Sequence, residues 1–430
     1  MRFDADVIIV GGGIGGLALA LALHNKGIEC RVVEAAKEYA AIGAGVNLLP
    51  HAVAPLAQIG LLEALSEHGN QTTNLQFYTE HGLHIHCERR GLAAGHDYPQ
   101  LSLHRANLHK VLRAAFDERL GAGQIRMASK CVRIDQDDES VSVRVETEHG
   151  GMAVVRGKIV VGCDGIHSMA RKQLFPNEGP PIFSGVTMWR GVTEMRSFLG
   201  GHTMVLAGCL RAGKVVAYPV TPPSHGSVQL VNWVAEIRGA HEQTIGWETS
   251  GNVNSLAWAN RDWMLPGLDV PTMLRQTERV LVYPMVDRDP LAQWSFGRIT
   301  LLGDAAHPMY PFGSNGACQA ILDAFALAAH LSDQGANQEA LWAYQQQRLP
   351  PTRDVTLLNR VSPPDDILDE VDRRSRGRPV NSINEIIQPA EINWRMARYQ
   401  RTTAGAIGGV LNSIAPQSAG ISGEKLREGL

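Results

Sequence analysis

Val7-Ile8-Ile9-Val10-Gly11-Gly12-Gly13-Ile14-Gly15-Gly16 is the stretch whose reading decides the fold. Four β-branched residues in a row predict a strand covered on both faces, and the glycines after it allow a tight turn and close approach of the backbone to a ligand. Gly11, Gly13 and Gly16 have the spacing at which a pyrophosphate lies against the turn and the next helix packs closely on the sheet, with Ile14 and Gly15 completing the turn. The helix is expected over about Gly15 to Lys26, ending at Gly27, and its first N–H groups, unpaired within the helix, face the phosphates. A second strand, about Glu29 to Val33, carries Glu34 to the place where a carboxylate accepts hydrogen bonds from both hydroxyls of an adenosine ribose. Strand, glycine turn, helix, strand and acid in this order predict a Rossmann-like α/β domain that binds a dinucleotide.

The rest of the chain must be compatible with that start. Its 430 residues are enough for two domains with full cores, and 44% hydrophobic and 19% charged residues are the proportions of a globular enzyme. A formal charge of -3 with no basic stripe argues against a nucleic-acid surface. Cys30, Cys87, Cys131, Cys163, Cys209 and Cys318 are scattered singly, so they read as small core residues in a reduced compartment, with neither a disulfide frame nor a metal site. No apolar run is long enough to span a membrane, and the first strand begins too early for a signal peptide ahead of it; the expected location is the cytoplasm.

Two further helices, about Ala52 to Leu65 and Arg105 to Leu120, are assigned to the first domain from their apolar periodicity. Between them Leu75 to Tyr78 and Leu83 to Cys87 read as a hairpin, an excursion into a second domain. Short strands alternate from Gln124 to Val161, and the continuous run Lys158 to Val161 ends in Asp164-Gly165, a turn at the carboxyl end of a central strand, where open α/β sheets place their ligands. From Thr187 to Ala235 the pattern becomes a series of strands rich in Val, Met, Trp and Tyr, followed by a helical stretch with Trp258 and Trp263. Ile299 to Leu302 is a buried strand with Gly303-Asp304 at its end, and Gly313-Ser314-Asn315-Gly316 starts a helix over Ala317 to Leu331 whose N-terminus can stabilise negative charge. The expected architecture is a discontinuous Rossmann-like domain (1–74, 100–181 and 280–372) with an inserted, largely antiparallel β-sheet domain (75–99 and 182–279). A partly helical C-terminal tail (373–430) opens with a basic link, Arg373 to Pro379.

Taken together, Gly11 to Gly16 with Glu34, Asp164-Gly165 with its flanks, and Gly303 to Pro308 resemble the three signatures of the single-component, FAD-dependent aromatic hydroxylases, the family of para-hydroxybenzoate and salicylate hydroxylases. The resemblance covers about residues 1 to 370. Gly45 to Pro50, Tyr98 to Gln100, His104-Arg105, Thr187 to Val192 and Tyr283 to Pro290 are similar to the phenazine-modifying members, which decarboxylate and hydroxylate a 5-methylphenazine-1-carboxylate. The resemblance implies that Glu34 holds the adenosine ribose, that Arg105 lies near the pyrophosphate, that Asp164 supports the cofactor and that Asp304 binds the ribityl chain. It also implies that Gly303 is a cofactor contact at the Asp304 turn and that Pro308, Gly313, Asn315 and Gly316 line the flavin ring, with Val46 and Asn47 on its other side. FAD would be reduced by transiently bound NADH or NADPH, and O2 would then yield a flavin C4a-hydroperoxide that oxygenates an electron-rich ring. There is no second G-x-G-x-x-G unit in the sequence.

The substrate pocket is a weaker reading. By the twofold period Met188 and Arg190 share one strand face and Trp189 the other; Tyr218, Trp233, Tyr283 and Met285 come from neighbouring strands, and Pro311 and Phe312 from the cofactor loop. They can form a flat aromatic cavity in which Arg190 meets a substrate carboxylate, or each aromatic can be core. His51, His167 and His307 read as local hydrogen-bonding residues with no metal-site spacing, and no catalytic acid or base is assigned. The alternative within the class is a hydroxylase of a benzoate, pyridine or quinolone-type metabolite that keeps the carboxylate. A flavin-dependent halogenase is disfavoured because W-x-W-x-I-P is missing. The expected partner is a small aromatic substrate, and the state a monomer or homodimer.

Overall fold

The computed structural model describes residues 3–39, 44–223, 228–239, 249–251, 256 and 263–414. At its centre is a parallel five-stranded sheet in the order Ile299–Leu301, Ile159–Gly162, Val7–Val10, Cys30–Val33 and Ile125–Arg126. Val7, Ile8 and Ile9 are fully buried, as a continuous β-branched run in a covered sheet requires. Helices Ile14–Asn25, Arg105–Arg119 and Asn315–Gln334 pack together over the sheet, and Val141, Val143 and Val145 of a three-stranded antiparallel sheet join the same core.

The second unit is built on an eight-stranded sheet ordered Thr249–Ser250, Leu281–Asp287, Ile182–Arg196, Val228–Arg238, Gly213–Pro219, Thr203–Cys209, Asn74–Tyr78 and His84–Arg89. Its pairings are antiparallel except that of Thr203–Cys209 with Asn74–Tyr78. The hairpin before residue 100 therefore sits in this sheet. Alternation divides the strands between two cores: Trp189, Ala217, Trp233 and Ala235 fill one, while Met188, Val216, Tyr218, Val234, Met285 and Phe312 fill the other.

Some local expectations change. The single helix over Ala52 to Leu65 is two, Pro50–Gln58 and Leu62–Glu67, because Gly60 adopts φ +77° and ends the first. Arg373 and Arg374, expected in a link, form the last turn of helix Asp366–Ser375, where Arg374 pairs with Glu370 and Glu391. Beyond it Pro389–Ile414 is a helix packed against Gln338–Val361 and Asn315–Gln334. Trp258 and most of the helical stretch expected around it lie outside the described residues. No helix among the described residues is long and apolar enough to cross a membrane.

Candidate active site

The glycine turn has the geometry of a ligand cradle. Gly11 sits at φ +104°, and a Cβ there would stand 2.5 Å from the Cys163 carbonyl oxygen; a Cβ on Gly16 would stand 2.0 Å from that of Gly11. Gly13 faces open space, with no atom within 4 Å of its Cβ direction, and it begins helix Ile14–Asn25 without a side-chain cap. Glu34 accepts hydrogen bonds from the Gly12 N–H at 2.6 Å and the Ala36 N–H at 2.7 Å, so the carboxylate fixes the turn as well as standing beside it. Arg105 is exposed at the start of its helix, with no acid in the first turn; a cation there opposes the helix dipole and suits a bound anion. One turn further on, His109 contacts the Gly12 carbonyl at 2.9 Å and stacks with Tyr39, over which Arg113 lies. Sequence reading missed this group, although the i, i+4 spacing from Arg105 placed His109 on the same face.

Asp164 lies under the turn. Its carboxylate accepts from the Ser168 hydroxyl and from the Met169 N–H at 2.7 Å, which anchors the helix Met169–Leu174, and its backbone packs against Gly11. From that helix buried Arg171 donates to the Ala305 and Ala306 carbonyls at 3.2 and 2.9 Å, tying the second motif to the third. Gly303 turns at φ +63° and leaves Asp304 exposed. Behind the turn, Asp323 accepts from the Gly303 N–H at 3.2 Å and from Arg348 Nε at 2.7 Å, and pairs with His307 Nε2. Burial alone would raise the Asp323 carboxyl, but His307 and Arg348 hold it below the usual carboxylate range. His307 is thus structural. Burial, with Arg348 and His96 adding to it, drives the His51 imidazole to about 3, which leaves it neutral near pH 7. His167 is exposed.

Pro308 is buried, and the loop after it enters helix Asn315–Gln334 through Gly313 at φ +65° and Ser314, again without a side-chain cap. Gly316 faces open space. Tyr399, from the region expected to be a tail, holds this loop: its hydroxyl accepts from Asn315 Nδ2 at 2.7 Å and donates to Asn359 Oδ1 at 2.9 Å. A Cβ on Gly313 would collide with that hydroxyl at 2.2 Å, which explains glycine there beyond its φ. Across the groove, Asn47 is buried and its carbonyl accepts from Cys318 Sγ, while its neighbour Val46 is partly exposed.

The inner face of the large sheet brings together most of the expected pocket residues. Met188, Tyr218, Met285 and Phe312 share one cluster with Tyr283 packed on it, and the Arg190 guanidinium lies 5.8 Å from the Tyr283 ring centre. Trp233 is not among them. Its neighbours Asn232 and Val234 face inward, so alternation turns Trp233 into the opposite core, where its indole N–H donates to Thr277 at 2.8 Å and Thr193 at 3.1 Å. Pro311 is exposed, outside the cluster. The sequence reading also missed a buried charge cluster in which Lys214 pairs with Glu236 at 2.7 Å and with Asp365, 4.8 Å from the Phe312 ring centre. A cleft of about 580 Å³ runs between Ala44 and His104 on one side and Arg190, Val192 and Leu281 on the other.

A pyrophosphate cradle with an open side, two helix N-termini without side-chain caps, and exposed Asp304 and Arg105 fit FAD. Beside a pocket of aromatic side chains they define a FAD-dependent aromatic monooxygenase. The chain belongs to the FAD binding domain family, whose model matches residues 4–357. It is 41% identical, over 83% of its length and 89% of the relative's, to the phenazine 1,6-dicarboxylic acid hydroxylase of Lysobacter antibioticus. It is 32% identical to a 3-amino-4-hydroxybenzoate 2-monooxygenase of Streptomyces platensis, over 81% of this chain and 85% of that one. Among solved structures, HpxO of Klebsiella pneumoniae complexed with FAD superposes with a TM-score of 0.70 at 22% identity, over 96% of this chain and 98% of that one, a likeness of fold.

Proposed function

We propose that the enzyme hydroxylates a phenazine-type aromatic acid at the expense of NADH or NADPH and O2, releasing the carboxylate as CO2 from the carbon that is oxygenated. One oxygen atom enters the ring and the other leaves as water, with two electrons from the nicotinamide; bound FAD supplies the hydride acceptance and oxygen activation. The observation that carries this reading is the 41% identity to a phenazine dicarboxylate hydroxylase along 83% of the chain. The pocket supports it, since flat side chains and the half-buried Arg190 guanidinium beside Tyr283 suit a planar ring bearing an anionic group.

In this reading Gly11, Gly13, Ile14, Gly15 and Gly16 receive the pyrophosphate and Glu34 the ribose. Arg105 neutralises phosphate charge, Asp304 binds ribityl hydroxyls, and Gly303, Pro308, Gly313, Asn315 and Gly316 border the flavin on one side with Val46 and Asn47 on the other. Asp164 acts through the turn it anchors. Met188, Tyr218, Tyr283, Met285 and Phe312 orient the substrate ring and keep water from the reacting carbon. The benzoate-type relatives at 32% identity favour a second reading, hydroxylation with the carboxylate retained. NAD(P)H oxidation by the FAD-loaded enzyme, measured with phenazine-1-carboxylate, its 5-methyl form, salicylate and 3-hydroxybenzoate, separates the two. A product that gains one oxygen and loses CO2 is expected from a phenazine acid; oxygen gain without mass loss as CO2 supports the second reading.

A further inference from the structure

We infer that Lys214 is a positioning residue of the aromatic pocket: its ammonium, clamped by Glu236 and Asp365, holds the Phe312 ring and with it the strained turn that leads into helix Asn315–Gln334. The consequence for substrate rests on the function proposed above, whereas the hold on the turn does not.

Lys214 stands on strand Gly213–Pro219 directly opposite Glu236, and Glu236 is in turn opposite Met188. By the twofold period Lys214 shares the face of Val216 and Tyr218, which belong to the pocket-side core. The three charged side chains are almost sealed, with 3% of Lys214, 5% of Glu236 and 6% of Asp365 exposed. Asp365 is the residue from which helix Asp366–Ser375 starts, a place where an aspartate ordinarily accepts from the first N–H groups of the helix. Here its side chain makes no cap and pairs with Lys214 instead. Buried ion groups are seldom more stabilising than apolar residues of equal volume. What this one supplies is direction: the two carboxylates fix the ammonium 4.8 Å from the centre of the Phe312 ring, within cation–π range.

Phe312 needs such a hold. The two residues after it, Gly313 and Ser314, both have left-handed backbone, at φ +65° and +59°, and Ser314 lacks the freedom of glycine there. A strained pair of this kind persists only where its surroundings over-determine it. Tyr399 fixes the turn from its C-terminal side through Asn315, and Lys214 fixes it from its N-terminal side through the Phe312 ring. Phe312 packs with Met188, Tyr218 and Met285, so a shift of the turn moves a wall of the pocket.

Hydrogen–deuterium exchange of the FAD-loaded enzyme tests the hold without a substrate. In K214M the amides from Phe312 to Gly316 are expected to exchange at least tenfold faster than in wild type, with those of strands Val7–Val10 and Ile159–Gly162 within twofold. If the unpaired acids keep K214M from folding, K214M/E236Q/D365N, which removes the charges and keeps the shapes, replaces it with the same expectation. Unchanged exchange in the turn, or acceleration that is uniform along the chain, overturns the inference. The link to substrate is read from a cycle of K214M, F312L and the two combined. The KM for an acid that wild type hydroxylates should rise at least fivefold in each single variant, and in the combined variant no further than in the more affected single one. Effects that multiply in the combined variant show that Lys214 does not act through Phe312 and overturn the inference as well. A wild type that hydroxylates none of the four acids refutes the proposed function, and the exchange result alone then decides whether Lys214 holds the turn.

Discussion

Tyr399→Phe tests whether the C-terminal helix belongs to the flavin site. The substitution keeps the ring and removes the hydroxyl that joins Asn315 to Asn359, both buried. A buried hydrogen bond contributes about 0.5–1.5 kcal/mol net, so the two bonds hold Asn315 and its loop with roughly 1–3 kcal/mol. Among the described residues the Asn315 side chain then keeps a long contact to the Phe312 carbonyl, 3.3 Å, and the loop gains freedom that binding must remove again. If that ordering is what the loop offers to FAD, affinity falls by about 5- to 150-fold, the factor that corresponds to 1–3 kcal/mol. Apoenzyme titrated with FAD by fluorescence quenching measures it, with thermal unfolding of the apoenzyme as the control for general damage. FAD binding within twofold of wild type would refute the reasoning, whatever happens to activity.

Gly16→Ala places a methyl 2.0 Å from the Gly11 carbonyl oxygen, a backbone atom that cannot move aside without opening the turn, so the purified protein is expected to lack FAD; normal flavin content would contradict the cradle. Glu34→Gln can accept only one of the two N–H groups that Glu34 serves, and FAD affinity should drop about tenfold, the order of one charge-assisted hydrogen bond, in the same titration. Trp233→Phe removes the indole donor shared by Thr193 and Thr277 in the outer core, so it should lower thermal stability and leave the KM for an aromatic acid within twofold; a large KM change with unchanged stability would return Trp233 to the pocket. Burial raises the Glu236 carboxyl, with Asp365 adding to this and Lys214 and Arg190 opposing it. The folded state therefore holds its proton more tightly than the unfolded chain, and the stability this contributes is complete below the unfolded value of about 4.3 and lost as pH rises through the raised one. The melting temperature of wild type should accordingly rise relative to Glu236→Gln as pH falls from 7 toward 5, and a pH-independent difference would exclude the shift.

Legibility in the sequence followed how local each feature is. The glycine turn, Glu34, the Asp164 and Gly303-Asp304 turns and the strands that lead to them could be read because each needs only neighbouring residues and a short-range backbone geometry. The period of two correctly separated Met188 and Arg190 from Trp189, yet the same rule could not say which face of a neighbouring strand looks inward, and Trp233 was assigned to the wrong one. That choice depends on register: Trp233 pairs with Gly191 and Ala217, and only the assembled sheet makes those pairs.

Long-range bonds were invisible for the same reason. Lys214 with Asp365, Asn232 with Gly45, and Tyr399 with Asn315 are separated by 151, 187 and 84 residues, and no local pattern marks either partner. The amino-acid sequence by itself determined that the chain builds a dinucleotide cradle, because glycines and one acid at fixed spacings impose that geometry wherever the chain goes next. Only the tertiary structure decided which side chains share the inner face of the large sheet, that Lys214 pairs with Glu236 and Asp365, and that Tyr399 of the last helix holds the loop at Asn315, because these follow from packing between strands and helices far apart in the chain.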